Sequence, residues 1–245
     1  METNFKIVTP AYNCEKWIKK CIDSVKNQNY TNYEHVIVDD CSTDNTLKIA
    51  IEETKNDSRF KVIKKESRMG ATHSHIAGAQ LLCNGADDED VFVHLDGDDW
   101  LAHENVLETV NEVYIKTNCW MTYGNYQATD GSPSVCSPKK PNKPIRHHIV
   151  DGGWCFSHLR TFKKFLWENI KLHSLLDSNG KLFSSACDVA MLCPMLEMSG
   201  DKVEFINETL YIYNRYNPLN DDKADLGDQV RCALEVAQQT PYTQL

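Results

Sequence analysis

The residues best suited to chemistry follow an apolar strand that starts at Val91 and ends in three carboxylates, Asp96, Asp98 and Asp99. Crowded carboxylates repel one another and resist burial, so a divalent cation or a polar ligand stabilises such a cluster. Aspartates with no Cys or His directly beside them suit a hard ion, Mg²⁺ or Mn²⁺, that also binds substrate phosphates. The alternative is a solvated Asp/Gly turn that caps the following helix.

Length and charge exclude several classes of function. The chain has 245 residues, and we expect a single α/β domain over 1–245. The formal net charge of −9, from 26 basic and 35 acidic residues, argues against a nucleic-acid partner. No stretch approaches the ~18 apolar residues that cross a bilayer, and the amino-terminal residues lack a secretion signal. We therefore expect a cytoplasmic protein, soluble or peripheral, without an integral membrane segment; the sequence does not specify its oligomeric state.

The ten cysteines are scattered and form no Cys-x-x-Cys pair. In a chain without an export signal this pattern predicts reduced thiols that mostly fill the core.

Strand and helix patterns alternate in the first half of the chain. This alternation predicts a Rossmann-like, mostly parallel central sheet flanked by helices, with ligands at the carboxyl ends of its strands. Three of these ends carry polar groups, at 9–13, 39–40 and 96–99. The predicted strands are 5–9, 34–38, 60–64 and the one from Val91, and the predicted helices are 14–27, 46–54 and 70–82.

The second half predicts a smaller mixed part. Its elements are helices at 103–116, 159–169, 188–198 and 227–238, a strand at 120–127 and a strand pair near 203–213. The stretch 129–144 is rich in Pro, Ser and Lys and lacks an apolar period, which indicates a mobile loop, either a surface excursion or a substrate lid. Arg146, with two histidines after it, is expected in a solvated basic turn. We expect a nucleotide-binding half over about 1–100, an acceptor-binding half over about 101–220, and a C-terminal helix and tail over 221–245.

Four motifs in order resemble family 2 of the inverting, nucleotide-sugar-dependent glycosyltransferases, which have the GT-A fold. Each motif is weak by itself, but four in register are specific, and they cover roughly residues 5 to 215. The resemblance implies transfer of a sugar from a nucleotide-diphosphate donor, with a UDP-sugar favoured, to a glycan or other hydroxyl acceptor. The motifs are Ile7–Asn13, Val36–Thr46, Leu95–Asp99 and Cys187–Leu192.

The resemblance assigns the donor site. Asp96 would approach the ribose and the metal, Asp98 would be the principal ligand of Mn²⁺ or Mg²⁺, and Asp99 would lie close by. A diphosphate leaving group needs positive charge, which the metal would supply.

The first two motifs supply the residues that would form the pocket for the nucleotide base. Asp40 would accept a hydrogen bond from the N3 of uracil, and Tyr12 would offer a ring on which the base stacks. Pro10 and Ala11 would line the same pocket.

Inversion requires a base on the face opposite the leaving group. The resemblance gives this role to Asp188, although Cys187 stands where relatives usually have Glu. The alternative role for Asp188 is to start a helix, where the dipole favours a carboxylate.

Four residues, Asp99 among them, are possible contacts to the diphosphate or acceptor. The Arg that relatives carry in the third helix is absent; His75 stands in its place, and Arg68 is the other basic candidate for the nucleotide. Arg215 is a candidate for the diphosphate and Trp154 for the acceptor wall. Three of them have a structural alternative: His75 as a satisfied polar residue, Arg215 as an exposed arginine and Trp154 as a core residue.

Two other functions remain open. A non-catalytic nucleotide-sugar binding module fits the departures at Cys187 and His75. A nucleotidyltransferase also uses paired carboxylates for metal, but it normally shows a Gly-rich basic loop after the first strand, and here that loop reads Thr9–Asn13.

Overall fold

The structure is a computed structural model, and it describes residues 2–139 and 143–245. Within these residues eight strands form one sheet in the order β3-β2-β1-β4-β7-β6-β8-β5. The strands are β1 Phe5–Ala11, β2 Tyr33–Asp39, β3 Phe60–Lys64, β4 Val91–His94, β5 Trp100–Leu101, β6 Met121–Ala128, β7 Arg160–Lys163 and β8 Val203–Tyr213.

Helices cover both faces of this sheet, as the alternating pattern predicted. They are α1 Ile18–Lys26, α2 Thr46–Thr54, α3 Ala71–Cys83, α4 Val106–Thr117, α5 Ile145–Val150, α6 Lys164–Glu168, α7 Cys187–Ser199, α8 Asp221–Ala224 and α9 Leu226–Gln238, with a 3₁₀ turn at Leu172–Leu175. No helix in the described ranges has both the length and the apolar character that a bilayer span requires.

The first half of the sheet is parallel. Strand β1 pairs with β2 on one side and β4 on the other, and β3 adds to β2. Six of the seven residues of β1 are buried, as expected for a parallel strand covered on both faces. Helix α3 packs so closely on β1 that a Cβ added at Gly78 would lie 2.5 Å from the Cγ1 of Val8. The mostly parallel α/β fold predicted from the alternation is confirmed.

Strand direction then decides which loops meet at the site. Strand β7 runs antiparallel to β4, β6 runs antiparallel to β7, and β8 runs parallel to β6. The carboxyl ends of β1, β2, β4 and β8 and the amino end of β7 therefore share one edge of the sheet.

Three expectations for the second half were wrong. The helix predicted over 159–169 is strand β7 followed by the short α6, because all four residues of β7 are buried between β4 and β6 and this pairing overrides local preference. The strand pair near 203–213 is the single strand β8, which bonds first to β6 and then also to β5. Arg146 is not in a solvated turn: it lies in α5, is 5% exposed, and its Nε donates to Glu197 at 2.8 Å.

Other expectations agree with the structure. Residues 130–139 of the predicted loop form no helix or strand, and its residues 140–142 lie outside the described ranges. Six of the ten cysteines are buried, as thiols that fill the core would be.

Candidate active site

The end of β1 joins the loops that carry the acidic residues. The backbone N–H of Asp40 donates to the carbonyl of Ala11 at 2.8 Å, and that of Gly97 donates to the carbonyl of Pro10 at 3.0 Å. A Cβ at Gly97 would lie 2.9 Å from that carbonyl oxygen, so the approach requires glycine. Asp40 and the aspartates after β4 therefore flank the same two residues.

Asp40 is almost fully buried and organises the turn before α3. Its Oδ1 accepts from Lys65 Nζ at 2.5 Å and from the backbone N–H of Met69 at 3.0 Å, and its Oδ2 accepts from the N–H of Gly70 at 2.8 Å. The same turn brings the guanidinium of Arg68 to 4.1 Å from the centre of the Tyr12 ring. The residues assigned to the base pocket thus lie in adjoining loops.

Asp99 is the most deeply buried of the three clustered carboxylates, at 1% exposed. Its Oδ2 accepts from the Tyr211 hydroxyl at 2.6 Å and its Oδ1 from the backbone N–H of Asn214 at 2.6 Å. Burial, together with the charges of Asp98 and Asp96, raises the pKa of Asp99 well above its ordinary value.

The segment after β8 also contacts Asp98. The Nδ2 of Asn217 donates to Asp98 Oδ2 at 2.7 Å. The carboxyl end of β8 and the residues that follow it therefore hold Asp98 and Asp99 in place by hydrogen bonds.

The donor set fits a divalent cation. One ligand atom from each of Asp96, Asp99 and His158 lies within 4.8 Å of the others. The pKa of His158 is well below its ordinary value, because the ring is buried and Arg160 is close, so the imidazole is neutral. The Arg160 guanidinium can only donate, so Nε2 of His158 accepts from it and Nδ1 carries the ring proton. The carboxylates of Asp96 and Asp99 are the groups here that suit a hard cation. Asp98 does not belong to this group.

Asp188 lies in the first turn of α7 and is partly exposed, with 26% of its side chain accessible. Its Oδ2 is 3.3 Å from Nη2 of Arg160, and the same nitrogen is 2.9 Å from Nε2 of His158. Burial opposes the charge on Arg160, but the carboxylates of Asp188 and Asp96 outweigh it and raise the pKa of Arg160 above its ordinary value. Arg160 therefore connects the candidate base with His158, which lies beside the candidate metal ligands.

The remaining candidates lie in different surroundings. His75 is 1% exposed, stacks near His94 with ring centres 4.1 Å apart, and has its Nε2 3.8 Å from Asp96 Oδ1. Burial lowers its pKa to about 3, so the ring is neutral. Trp154 is partly buried against Phe156, with ring centres 5.1 Å apart. Arg215 donates to the Tyr213 hydroxyl at 3.2 Å, and its Nε is 3.7 Å from Asp130.

Five residues of this site were not predicted from the sequence. One lies where a helix was expected, so its side-chain direction could not be inferred, one lies just before that segment, and three lie in or after β8. Polar residues directly after a strand were a usable signal for the two asparagines. The five are His158, Arg160, Tyr211, Asn214 and Asn217.

Comparison with known proteins gives a family match and distant curated relatives. Residues 6–183 match the family described as "Glycosyl transferase family 2". Glycosyltransferase GlyG of Streptococcus pneumoniae is 27% identical over 229 residues, 88% of this chain and 72% of that protein. Chondroitin synthase of Escherichia coli is 30% identical over 207 residues, 84% of this chain, but the chain spans only 28% of that longer protein.

Solved structures share the fold. Residues 1–349 of S. aureus TarS in complex with UDP-GlcNAc align with a TM-score of 0.65 at 18% identity, covering 88% of this chain and 59% of that one. Glucosyl-3-phosphoglycerate synthase of Mycobacterium tuberculosis, in complex with Mn²⁺, UDP and glucosyl-3-phosphoglycerate, aligns with a TM-score of 0.62 at 18% identity, covering 98% and 81%.

The mostly parallel sheet and the solved structures that align with it show that the chain has the GT-A fold. The family match then makes the assignment specific. The chain belongs to glycosyl transferase family 2.

Proposed function

We propose that the chain transfers a sugar from a nucleotide-diphosphate donor to an acceptor hydroxyl in one step, with inversion at the anomeric carbon. The observation that carries the proposal is the contact chain from Asp188 through Arg160 to His158, whose ligand atom lies within 4.8 Å of those of Asp96 and Asp99. A candidate base and a candidate diphosphate site therefore face one edge of the sheet, as a single displacement requires.

Asp188 is the proposed general base. Its carboxylate is partly exposed, so an acceptor hydroxyl can reach it, and it lies in the first turn of α7. As the hydroxyl oxygen bonds to the anomeric carbon, its proton passes to Asp188 and the bond to the diphosphate breaks.

Asp96, Asp98 and Asp99 are the proposed holders of Mn²⁺ or Mg²⁺, and His158 lies beside them. The bound metal would neutralise charge on the departing diphosphate. The M. tuberculosis synthase whose fold this chain shares was solved with Mn²⁺ and UDP, which supports a metal of this kind.

A UDP-sugar is the favoured donor. The Asp40 carboxylate suits an imide N–H, Tyr12 offers a stacking surface, and Pro10 and Ala11 lie beside both. Complexes of two fold relatives contain UDP-GlcNAc or UDP. Arg68, His75, Trp154 and Arg215 remain proposed contacts to the nucleotide, diphosphate or acceptor.

We also propose that different parts of the chain bind the donor and the acceptor. Residues 1–100 would bind the nucleotide, 101–220 the acceptor, and 221–245 would form a C-terminal helix and tail. We propose a cytoplasmic enzyme, soluble or peripheral, whose acceptor is a glycan or another hydroxyl compound and which has no nucleic-acid partner.

Substitution of two aspartates tests the mechanism. Asp188→Asn should lower the rate of transfer from UDP-sugars by about 10²–10⁴-fold, because the base is lost. It should leave the Kd for UDP with Mn²⁺, measured by titration calorimetry, unchanged. Asp98→Ala should weaken that metal-dependent binding as well. Asp201→Asn, a change at a fully exposed carboxylate, is the matched control and should alter neither quantity.

The same assay separates the rival functions. Undiminished transfer by the Asp188→Asn protein would remove Asp188 from the mechanism. Binding of UDP-sugars without transfer or hydrolysis would identify a non-catalytic binding module, and release of pyrophosphate from a nucleoside triphosphate would identify a nucleotidyltransferase.

A further inference from the structure

We propose that Arg160 is a positioning residue that holds the Asp188 carboxylate in place for proton transfer, an inference that rests on the proposed function of Asp188. The residue lies in strand β7, in a segment whose sequence pattern predicted a helix. Its guanidinium contacts both the candidate base and His158.

The fold delivers Arg160 to this position. Arg160 is the first residue of β7 and pairs in register with His94, the last residue of β4. Because the two strands are antiparallel, the start of β7 lies at the carboxyl end of β4, directly beside the loop that contains Asp96. The side chain is 5% exposed, so packing restricts its conformation.

The contacts of Nη2 define what Arg160 does. This nitrogen lies 3.3 Å from Asp188 Oδ2 and 2.9 Å from Nε2 of His158. His158 in turn stacks on Tyr211, with ring centres 4.2 Å apart, and Tyr211 donates to Asp99. Packed side chains therefore connect the Asp188 carboxylate to the acidic cluster.

The chemistry of guanidinium suits positioning rather than proton transfer. Arginine stays protonated in proteins and has no acceptor atom, so it cannot take the proton from the acceptor hydroxyl. Arg160 contacts Oδ2 of Asp188. The other oxygen of that carboxylate can therefore receive the proton.

Another buried arginine pair provides a comparison within the same helix. Arg146 donates to Glu197 through two nitrogens at 2.8 and 2.9 Å, and the side chains are 6% and 8% exposed. That pair is closed to solvent, whereas Asp188 is 26% exposed. Glu197 lies nine residues along α7, about 13 Å from Asp188 at the α-helical rise, so the Arg146 pair reports on structure alone.

The test compares Arg160→Gln and Arg160→Lys with Arg146→Gln as the matched control. Arg160→Gln should lower kcat for transfer about 10- to 100-fold, the range found when an outer partner of a functional side chain is removed. The KM for the UDP-sugar and the Kd for UDP with Mn²⁺ should stay within about twofold. Arg160→Lys, which keeps a cation, should recover part of the kcat. Arg146→Gln should lower the melting temperature without changing kcat per folded molecule.

Crystal structures of the wild type and of Arg160→Gln give a readout independent of activity. We expect the Asp188 carboxylate to rotate or shift while Asp96 and Asp99 keep their positions; an unmoved Asp188 overturns the inference. Unchanged kcat in Arg160→Gln also overturns it, and a loss of UDP affinity that matches the loss of kcat would make Arg160 a donor ligand instead. Absence of transfer by the wild type would reject the proposed function, and the position of Asp188 in the two structures would still decide the role of Arg160.

Discussion

The hydroxyl of Tyr211 donates a 2.6 Å hydrogen bond to the carboxylate of Asp99, although 112 residues separate the two along the chain. Both side chains are at most 1% exposed. The bond joins the end of β8 to the loop after β4, so the last strand in the sequence helps to shape the acidic cluster in the first half of the chain.

Removing the Tyr211 hydroxyl should lower the stability of the fold. Tyr211→Phe leaves Asp99 with one buried acceptor unsatisfied, and we expect the free energy of unfolding to fall by about 1–3 kcal/mol. Urea denaturation measures the change. Tyr216→Phe removes a hydroxyl from a ring that is 66% exposed and serves as the control. An equal fall in the free energy of unfolding of both variants would show that the bond to Asp99 stabilises the fold no more than an exposed hydroxyl does.

Gly97 should not tolerate a side chain. A Cβ there would lie 2.9 Å from the carbonyl oxygen of Pro10 and 3.1 Å from the Cβ of Ala11, so the loop between Asp96 and Asp98 would have to shift. We expect Gly97→Ala to cost about 1–3 kcal/mol of stability, as overpacking typically does, and to weaken Mn²⁺-dependent UDP binding in calorimetry. Gly153→Ala, where the nearest atom is 3.9 Å away, should change stability little. A Gly97→Ala protein with wild-type stability and binding would contradict the close packing.

The ring of Tyr12 should contribute to nucleotide binding. Tyr12→Leu removes the stacking surface and should raise the Kd for UDP by about 5- to 100-fold, since stacking of a base on an aromatic ring contributes about 1–3 kcal/mol. Tyr12→Phe keeps the ring that lies 4.1 Å from Arg68 and should bind UDP nearly as the wild type does. If both variants bind equally well, the base does not stack on Tyr12.

Buried histidines should make the fold sensitive to acid. His35 is fully buried, its Nε2 lies 2.7 Å from the Thr9 hydroxyl, and burial lowers its pKa from 6.5 to about 3. Between these two values the unfolded chain binds a proton that the folded chain does not, so stability falls as the pH drops below about 6.5. The contribution is at most about 1.4 kcal/mol per pH unit.

The variant His35→Gln isolates this contribution. Its free energy of unfolding, measured in urea from pH 7.5 to pH 5, should depend less steeply on pH than that of the wild type, because the other histidines remain in both proteins. Parallel curves would mean that His35 does not remain neutral in the fold.

The sequence by itself determined the parallel half of the protein and the polar groups at its strand ends. Buried runs such as Ile7–Val8 and Val91–Val93 alternate with helical periodicity, and parallel strands joined by helices can meet only with their carboxyl ends on one edge. Asp40 and the aspartates from Asp96 to Asp99 could therefore be assigned to neighbouring loops from local patterns alone.

Only the tertiary structure decided how the second half completes the site. The segment from Arg160 to Lys163 has no local preference strong enough to mark it as a strand; it is one because β4 and β6 offer unpaired edges on both sides. That antiparallel insertion brings Arg160 to Asp188, and the direction of β8 brings Tyr211 to Asp99. Such contacts depend on strand order, which periodicity along the chain does not encode.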